Sequence, residues 1–154
     1  EPNARIILHG VSMGAATVLM ASGEDLPGNV KAVIADCGYT SEWDEFQREA
    51  DALHIPWFPV LNATSVLSKI RDGYDFKQAS ALAQVKKSRI PTLFIHGSSD
   101  ELVPYSMLGE LYAAAACEKE ELTVEGAGHA LSSSVAPTLY WRTVEDFIAK
   151  YLDR

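Results

Sequence analysis

Four short apolar runs punctuate the chain, at about 5–9, 30–35, 91–96 and 120–124. Each is nearly continuous rather than alternating, the pattern of parallel strands covered on both faces. Three longer stretches carry helical periodicity. Residues 13–22 are rich in small and aliphatic side chains. Residues 104–116 begin with Pro104, which suits the first turn of a helix. In 137–152, Val144, Phe147, Ile148, Tyr151 and Leu152 fall on one stripe. Strand and helix alternate along the chain, which predicts an α/β fold of about four parallel strands flanked by helices.

The connection between the second and third strands, from Asp36 to Ile90, is far longer than the dozen or so residues a crossover needs. It reads as a helical insertion over about 40–88. Ser41-Glu42-Trp43-Asp44 resembles a helix-starting capping box, and Ala63 to Arg71 and Phe76 to Lys87 read as helices.

The segments between strand and helix carry the chemistry. Gly10-Val11-Ser12-Met13-Gly14 lies between the first strand and the first helix. A serine at such a sharp turn is held clear of the sheet, near the positive end of the following helix. The glycines on either side let strand and helix pass closely. A serine hydroxyl needs a base, and the base an orienting acid. Asp100 follows the third strand in the loop Gly97-Ser98-Ser99-Asp100-Glu101. His129 follows the fourth in Gly126-Ala127-Gly128-His129-Ala130. Both lie at the C-terminal ends of strands, where parallel sheets bind ligands.

The strand–elbow–helix, the His96-Gly97 segment running to Pro104, and the Gly126-to-His129 loop resemble the α/β-hydrolase superfamily. Ala35-Asp36-Cys37-Gly38-Tyr39-Thr40-Ser41 and Gly73-Tyr74-Asp75-Phe76 resemble a bacterial subgroup of esterase- or peptidase-like serine hydrolases. The resemblance implies Ser12 as nucleophile, Asp100 as acid, His129 as base and the Met13 backbone N–H as an oxyanion donor. It also implies that the insertion is a cap over the site, where Trp43, Trp57 and Phe58 line an apolar pocket or else pack the cap onto the body. Asp36 is the rival acid, because some members of the superfamily take the acid from that earlier strand end. His9 and His96 are expected to pack or hydrogen-bond rather than catalyse, and His54 to lie on the surface. Cys37 is expected as a small buried hydrophobe, and Ser132, Ser133 and Ser134 as caps of the turn leading to the last helix.

The superfamily pattern has eight strands with the nucleophile after the fifth, so this chain corresponds to the C-terminal half. The expected partners are a small-molecule ester or peptide-like substrate, and either a second copy or a separate N-terminal half at the open edge of the first strand. That half would carry the second oxyanion donor. The alternative expectation is an inert piece that folds and self-associates.

Composition narrows the classes. The 154 residues fit one domain of residues 1–154. A net charge of −8, from 13 basic and 21 acidic residues, disfavours nucleic acid and anionic membrane as partners. The two cysteines and four histidines show no metal-ligand spacing, and nothing in the sequence implies a cofactor. No apolar run approaches the ~18 residues of a membrane span. The chain begins with Glu1, so its natural N-terminus and any targeting segment are expected to lie upstream, and a cytoplasmic location is favoured.

Overall fold

The computed structural model describes residues 4–152. Four strands form one sheet in the order β1-β2-β3-β4, with every neighbouring pair parallel. They are β1 (Ile6–Val11), β2 (Val30–Asp36), β3 (Thr92–Gly97) and β4 (Lys119–Val124). β1 runs past the expected residue 9, because Gly10 and Val11 continue the ladder opposite Ala35 and Asp36.

Side-chain alternation assigns the two faces of the sheet. Val33, Ala35 and Phe94 point to one side. They pack there with Ala15 and Leu19 of α1 (Met13–Ser22), Ala81 and Val85 of α4 (Ala81–Val85), and Leu108 and Leu111 of α5 (Ser106–Ala114). Ala32, Ile34, Leu93 and Ile95 point to the other side. They meet the Tyr140, Val144, Phe147 and Tyr151 stripe of α7 (Pro137–Leu152). β2 and β3 are thus covered on both faces, as their unbroken apolar runs require.

The insertion carries α2 (Glu42–Ala52) and α3 (Trp57–Asp72), which contact each other. The helical segment after them is shorter than expected. It occupies Ala81–Val85 instead of 76–87, and it packs against α1 and α5 as part of the body. Local side-chain bonds explain the loss. Asp75 Oδ1 accepts the Lys77 N–H at 3.0 Å, and Ser80 Oγ accepts the Ala83 N–H at 3.1 Å. The first closes a turn, and the second starts the helix late. Ser41 does cap α2, accepting the Asp44 N–H at 3.0 Å, while Asp44 Oδ2 accepts from the Thr40 hydroxyl at 3.1 Å. α3 starts at Trp57, earlier than residue 63, with a break at Phe58 (φ −97°, ψ 130°). The break follows from Pro59, which pushes the residue before it out of the helical region.

α5 begins at Ser106, so Pro104 sits in the tight turn before it, its carbonyl accepting the Met107 N–H at 2.9 Å. Ser132–Val135 form a short helix of their own, α6, instead of capping α7.

Glycine is required at Gly10. A Cβ there would overlap the Gly14 carbonyl, whereas a Cβ on Gly14 meets nothing within 4 Å among the described residues. Close passage of strand and helix therefore rests on Gly10 alone of the two elbow glycines. Gly10→Ala should cost about 1–3 kcal/mol, because backbone must move. Gly14→Ala should be neutral or stabilising by up to ~1 kcal/mol through helix propensity. Denaturant unfolding midpoints of the two variants check this contrast.

Candidate active site

The turns after β1, β3 and β4 carry Ser12, Asp100 and His129, and they converge. Ser12 adopts φ 56° and ψ −120° between β1 and α1. Three of the four non-glycine residues with positive φ among the described residues, Ser12, Cys37 and Ala130, lie in the turns after β1, β2 and β4. Such conformations cost energy and persist where surrounding contacts over-determine them. For Ser12 one such contact is its N–H, which donates to the Asp36 carbonyl at 2.8 Å. Met13 is the first residue of α1, so its N–H has no partner within the helix.

Ser12 Oγ lies 2.7 Å from His129 Nε2. His129 Nδ1 lies 2.9 Å from Asp100 Oδ2. An ionised carboxylate only accepts, so Nδ1 carries the ring hydrogen and Nε2 accepts from the serine hydroxyl. The Asp100 side chain is fully buried. Its other oxygen, Oδ1, accepts the backbone N–H groups of Leu102 at 3.0 Å and Val103 at 2.9 Å. Those two amides come from the turn before α5. Gly97 brings β3 and the His129 loop together; a Cβ at that position would overlap the Ala127 carbonyl.

His96 is buried and lies against the same acid. Its Nε2 is 3.0 Å from the Val103 carbonyl and 3.2 Å from Asp100 Oδ2. The carbonyl can only accept, so Nε2 carries a hydrogen and donates it to Val103. The Asp100 carboxylate thus accepts three hydrogen bonds, with the His96 ring beside it.

Asp36 is placed elsewhere. Its carboxylate, 1% exposed, accepts from Ser132 Oγ at 3.1 Å and from the Tyr140 hydroxyl. The Tyr140 oxygen is also 3.0 Å from His9 Nε2. Burial pushes the Asp36 carboxyl above the usual carboxylate range, and the two hydroxyl donors offset that only in part. Burial and the neighbouring Asp36 charge likewise raise the Tyr140 phenol. Cys37, also buried, has its thiol pushed up to about 12, first by burial and then by the Asp36 charge.

The ligand atoms of Cys37, Asp100 and His129 lie within 4.8 Å of one another, making them the one group of three metal-ligand types among the described residues. Two of them already bond to each other, and the raised thiol disfavours the thiolate a metal needs.

Of the expected pocket aromatics, Trp57 packs edge-on to Phe58 at 6.2 Å between centroids, and Phe58 is 68% exposed. Trp43 carries the Lys77 ammonium 4.3 Å over its ring. No ring contact among the described residues joins the three to His129. His54 is exposed, as expected. Sequence reasoning did not connect Ser132 and Tyr140 with Asp36. Their partners are about a hundred positions away, and nothing in local spacing marks them.

The sequence profile of the prolyl oligopeptidase family matches residues 2–154. The chain belongs to the prolyl oligopeptidase family. It is 31% identical over 142 residues to the uncharacterized protein YqkD of Bacillus subtilis, covering 92% of this chain and 47% of that protein. It is 30% identical to the alpha/beta hydrolase domain-containing protein WAV2 of Arabidopsis thaliana, covering 96% and 47%. This prolyl oligopeptidase family chain therefore spans about half the length of the curated relatives it matches. Among solved structures, the esterase Pf2001 of Pyrococcus furiosus superposes with a TM-score of 0.70 at 19% identity, covering 96% of this chain and 55% of that one. The acylaminoacyl peptidase of Pyrococcus horikoshii superposes with a TM-score of 0.70 at 17% identity, covering 99% and 25%. The esterase domain from a Rhodothermus marinus protein gives 0.66 at 20%, covering 95% and 60%. These likenesses place the four parallel strands and their helices within the α/β-hydrolase fold.

The raised Asp36 carboxyl has a testable sign. Its folded-state value lies above the unfolded one, so between the two the native state binds more protons. Stability contributed by the protonated form is then lost as pH rises from near 4 through the folded value. Asp36→Asn removes that titration. Its unfolding midpoint relative to the parent should rise across this window and level off above it.

Proposed function

We propose that this chain carries the acyl-transfer machinery of a serine hydrolase. The observation supporting it is the unbroken hydrogen-bonded path from Ser12 Oγ through His129 to a buried Asp100 carboxylate that also accepts two backbone N–H groups. His129 Nε2 takes the hydroxyl proton as Ser12 Oγ attacks a carbonyl carbon. Asp100 holds the imidazole tautomer and stabilises the imidazolium. The Met13 N–H donates to the oxyanion. The protonated His129 then returns its proton to the leaving alcohol; water, deprotonated by His129, attacks the acyl carbonyl, and the proton passes to Ser12 Oγ as its bond to the acyl carbon breaks and the acid leaves.

The favoured substrate is a carboxylic ester, with thioesters and amides as the related acyl compounds the same steps serve. The esterases and peptidase among the structural neighbours support this class and no narrower one. Trp43, Trp57 and Phe58 remain proposed pocket residues. β1 pairs only with β2 among the described residues, and Ile6 and Val11 are 38% and 41% exposed. An open apolar edge is a template for another strand. Polypeptide pairing there, whether from a longer protein or a second copy, supplies the second oxyanion donor in this account.

A fluorophosphonate probe should label Ser12 covalently, and Ser12→Ala should abolish labelling. His129→Ala should slow it by about 10²–10⁴-fold, the usual contribution of a general base. Absence of labelling in the folded parent chain would reject the reading for this chain. Sedimentation of the chain at micromolar concentration should show association through the β1 edge, and a stable monomer there would remove pairing with a second copy.

A further inference from the structure

Asp36 is a carboxylate that the acyl-transfer scheme does not use. It is nevertheless buried, and its two hydroxyl donors leave burial dominant. Buried acids in such surroundings are costly and call for a reason. The surroundings supply one. The Asp36 backbone carbonyl accepts the Ser12 N–H, 2.8 Å away, so the residue grips the nucleophile turn. Its Oδ1 accepts from Ser132 Oγ, 3.1 Å away, and Ser132 is wholly buried three residues after His129. Between His129 and Ser132 stands Ala130 at φ 57°, a conformation an alanine adopts only under constraint. The His129 loop is thus a strained segment with its far end tied to the residue that also ties down Ser12.

We propose that Asp36 is a positioning residue that sets the His129 imidazole against Ser12, acting through Ser132. The inference rests on reading Ser12 and His129 as nucleophile and base. The Ser132–Asp36 bond fixes where the loop returns to the body, and the Asp36 carbonyl fixes the elbow. One residue therefore determines the separation between the two reacting groups. Tyr140, on α7, completes the acid's coordination and keeps its carboxylate turned toward Ser132.

The conservative variant separates geometry from charge. Asn in place of Asp36 keeps an acceptor for Ser132 and offers its amide to the Tyr140 oxygen. Ser132→Ala and Asp36→Leu each break the tether. Expected results for fluorophosphonate labelling of Ser12 are a loss of about tenfold to a hundredfold in Ser132→Ala and Asp36→Leu, the scale of a displacement near 1 Å. Asp36→Asn should stay within about threefold of the parent. Placed in the His129→Ala background, Ser132→Ala should change residual labelling by less than about twofold, because its effect runs through His129. Equal losses in both backgrounds would reduce Ser132 to a structural role.

A second measurement does not depend on activity. The downfield proton resonance of His129 Nδ1–H, bonded to Asp100, should broaden or vanish in Ser132→Ala and persist in Asp36→Asn. An unchanged resonance in Ser132→Ala overturns the positioning role even if the parent fails to label. A parent that fails to label while the resonance behaves as expected overturns the catalytic reading and leaves the tether standing.

Discussion

The hydrogen bond from the Ser12 N–H to the Asp36 carbonyl is the contact on which the site's geometry turns. It is the last rung of the parallel ladder between β1 and β2, placed one residue beyond the strand itself. Because the ladder carries on to that point, the chain must reverse within Ser12. The reversal forces a positive φ and aims the side chain off the sheet. Gly10 makes the reversal sterically possible by letting the first turn of α1 lie on the strand. Strand pairing, turn strain and the placement of the Ser12 side chain are thus one event seen at three scales.

The two buried acids illustrate how environment divides roles. Asp100 accepts two backbone amides and the His129 imidazole N–H, with the buried His96 ring against its other side. Asp36 meets only two hydroxyls and lies under the helix that closes the other face of the sheet. Burial raises it, and its partners, Ser132 and Tyr140, belong to α6 and α7. Two strand ends offered an acid to the same imidazole, and the turn before α5, with its pair of amides, surrounds only one of them.

Much of this was legible in the sequence because it is local. Nearly continuous apolar runs marked β2 and β3, and the turns that follow β1, β3 and β4 carried Ser12, Asp100 and His129 at recognisable spacing. The Ser41 cap and the α7 stripe were equally local. What escaped depends on contacts made across the fold or on competing short-range bonds. Residues 76–80 have helix-compatible composition, yet Asp75 and Ser80 hold turns there. Gly14 looked as necessary as Gly10 until the path of the helix was known. The burial of Asp36 and its bond to Ser132, 96 positions away, arise only when β2 and the His129 loop are folded together. The pocket is the least legible part, since aromatic residues between prolines say nothing of what they face.

The central claim is that Ser12 Oγ becomes covalently acylated with His129 as its base. The direct test is rapid mixing of the chain with a p-nitrophenyl ester, followed by acid quenching and peptide mapping. The account predicts a burst of nitrophenol and an acyl mass on the peptide containing Ser12, both lost in Ser12→Ala. An acyl group on another residue, or hydrolysis that survives Ser12→Ala unchanged, would contradict it.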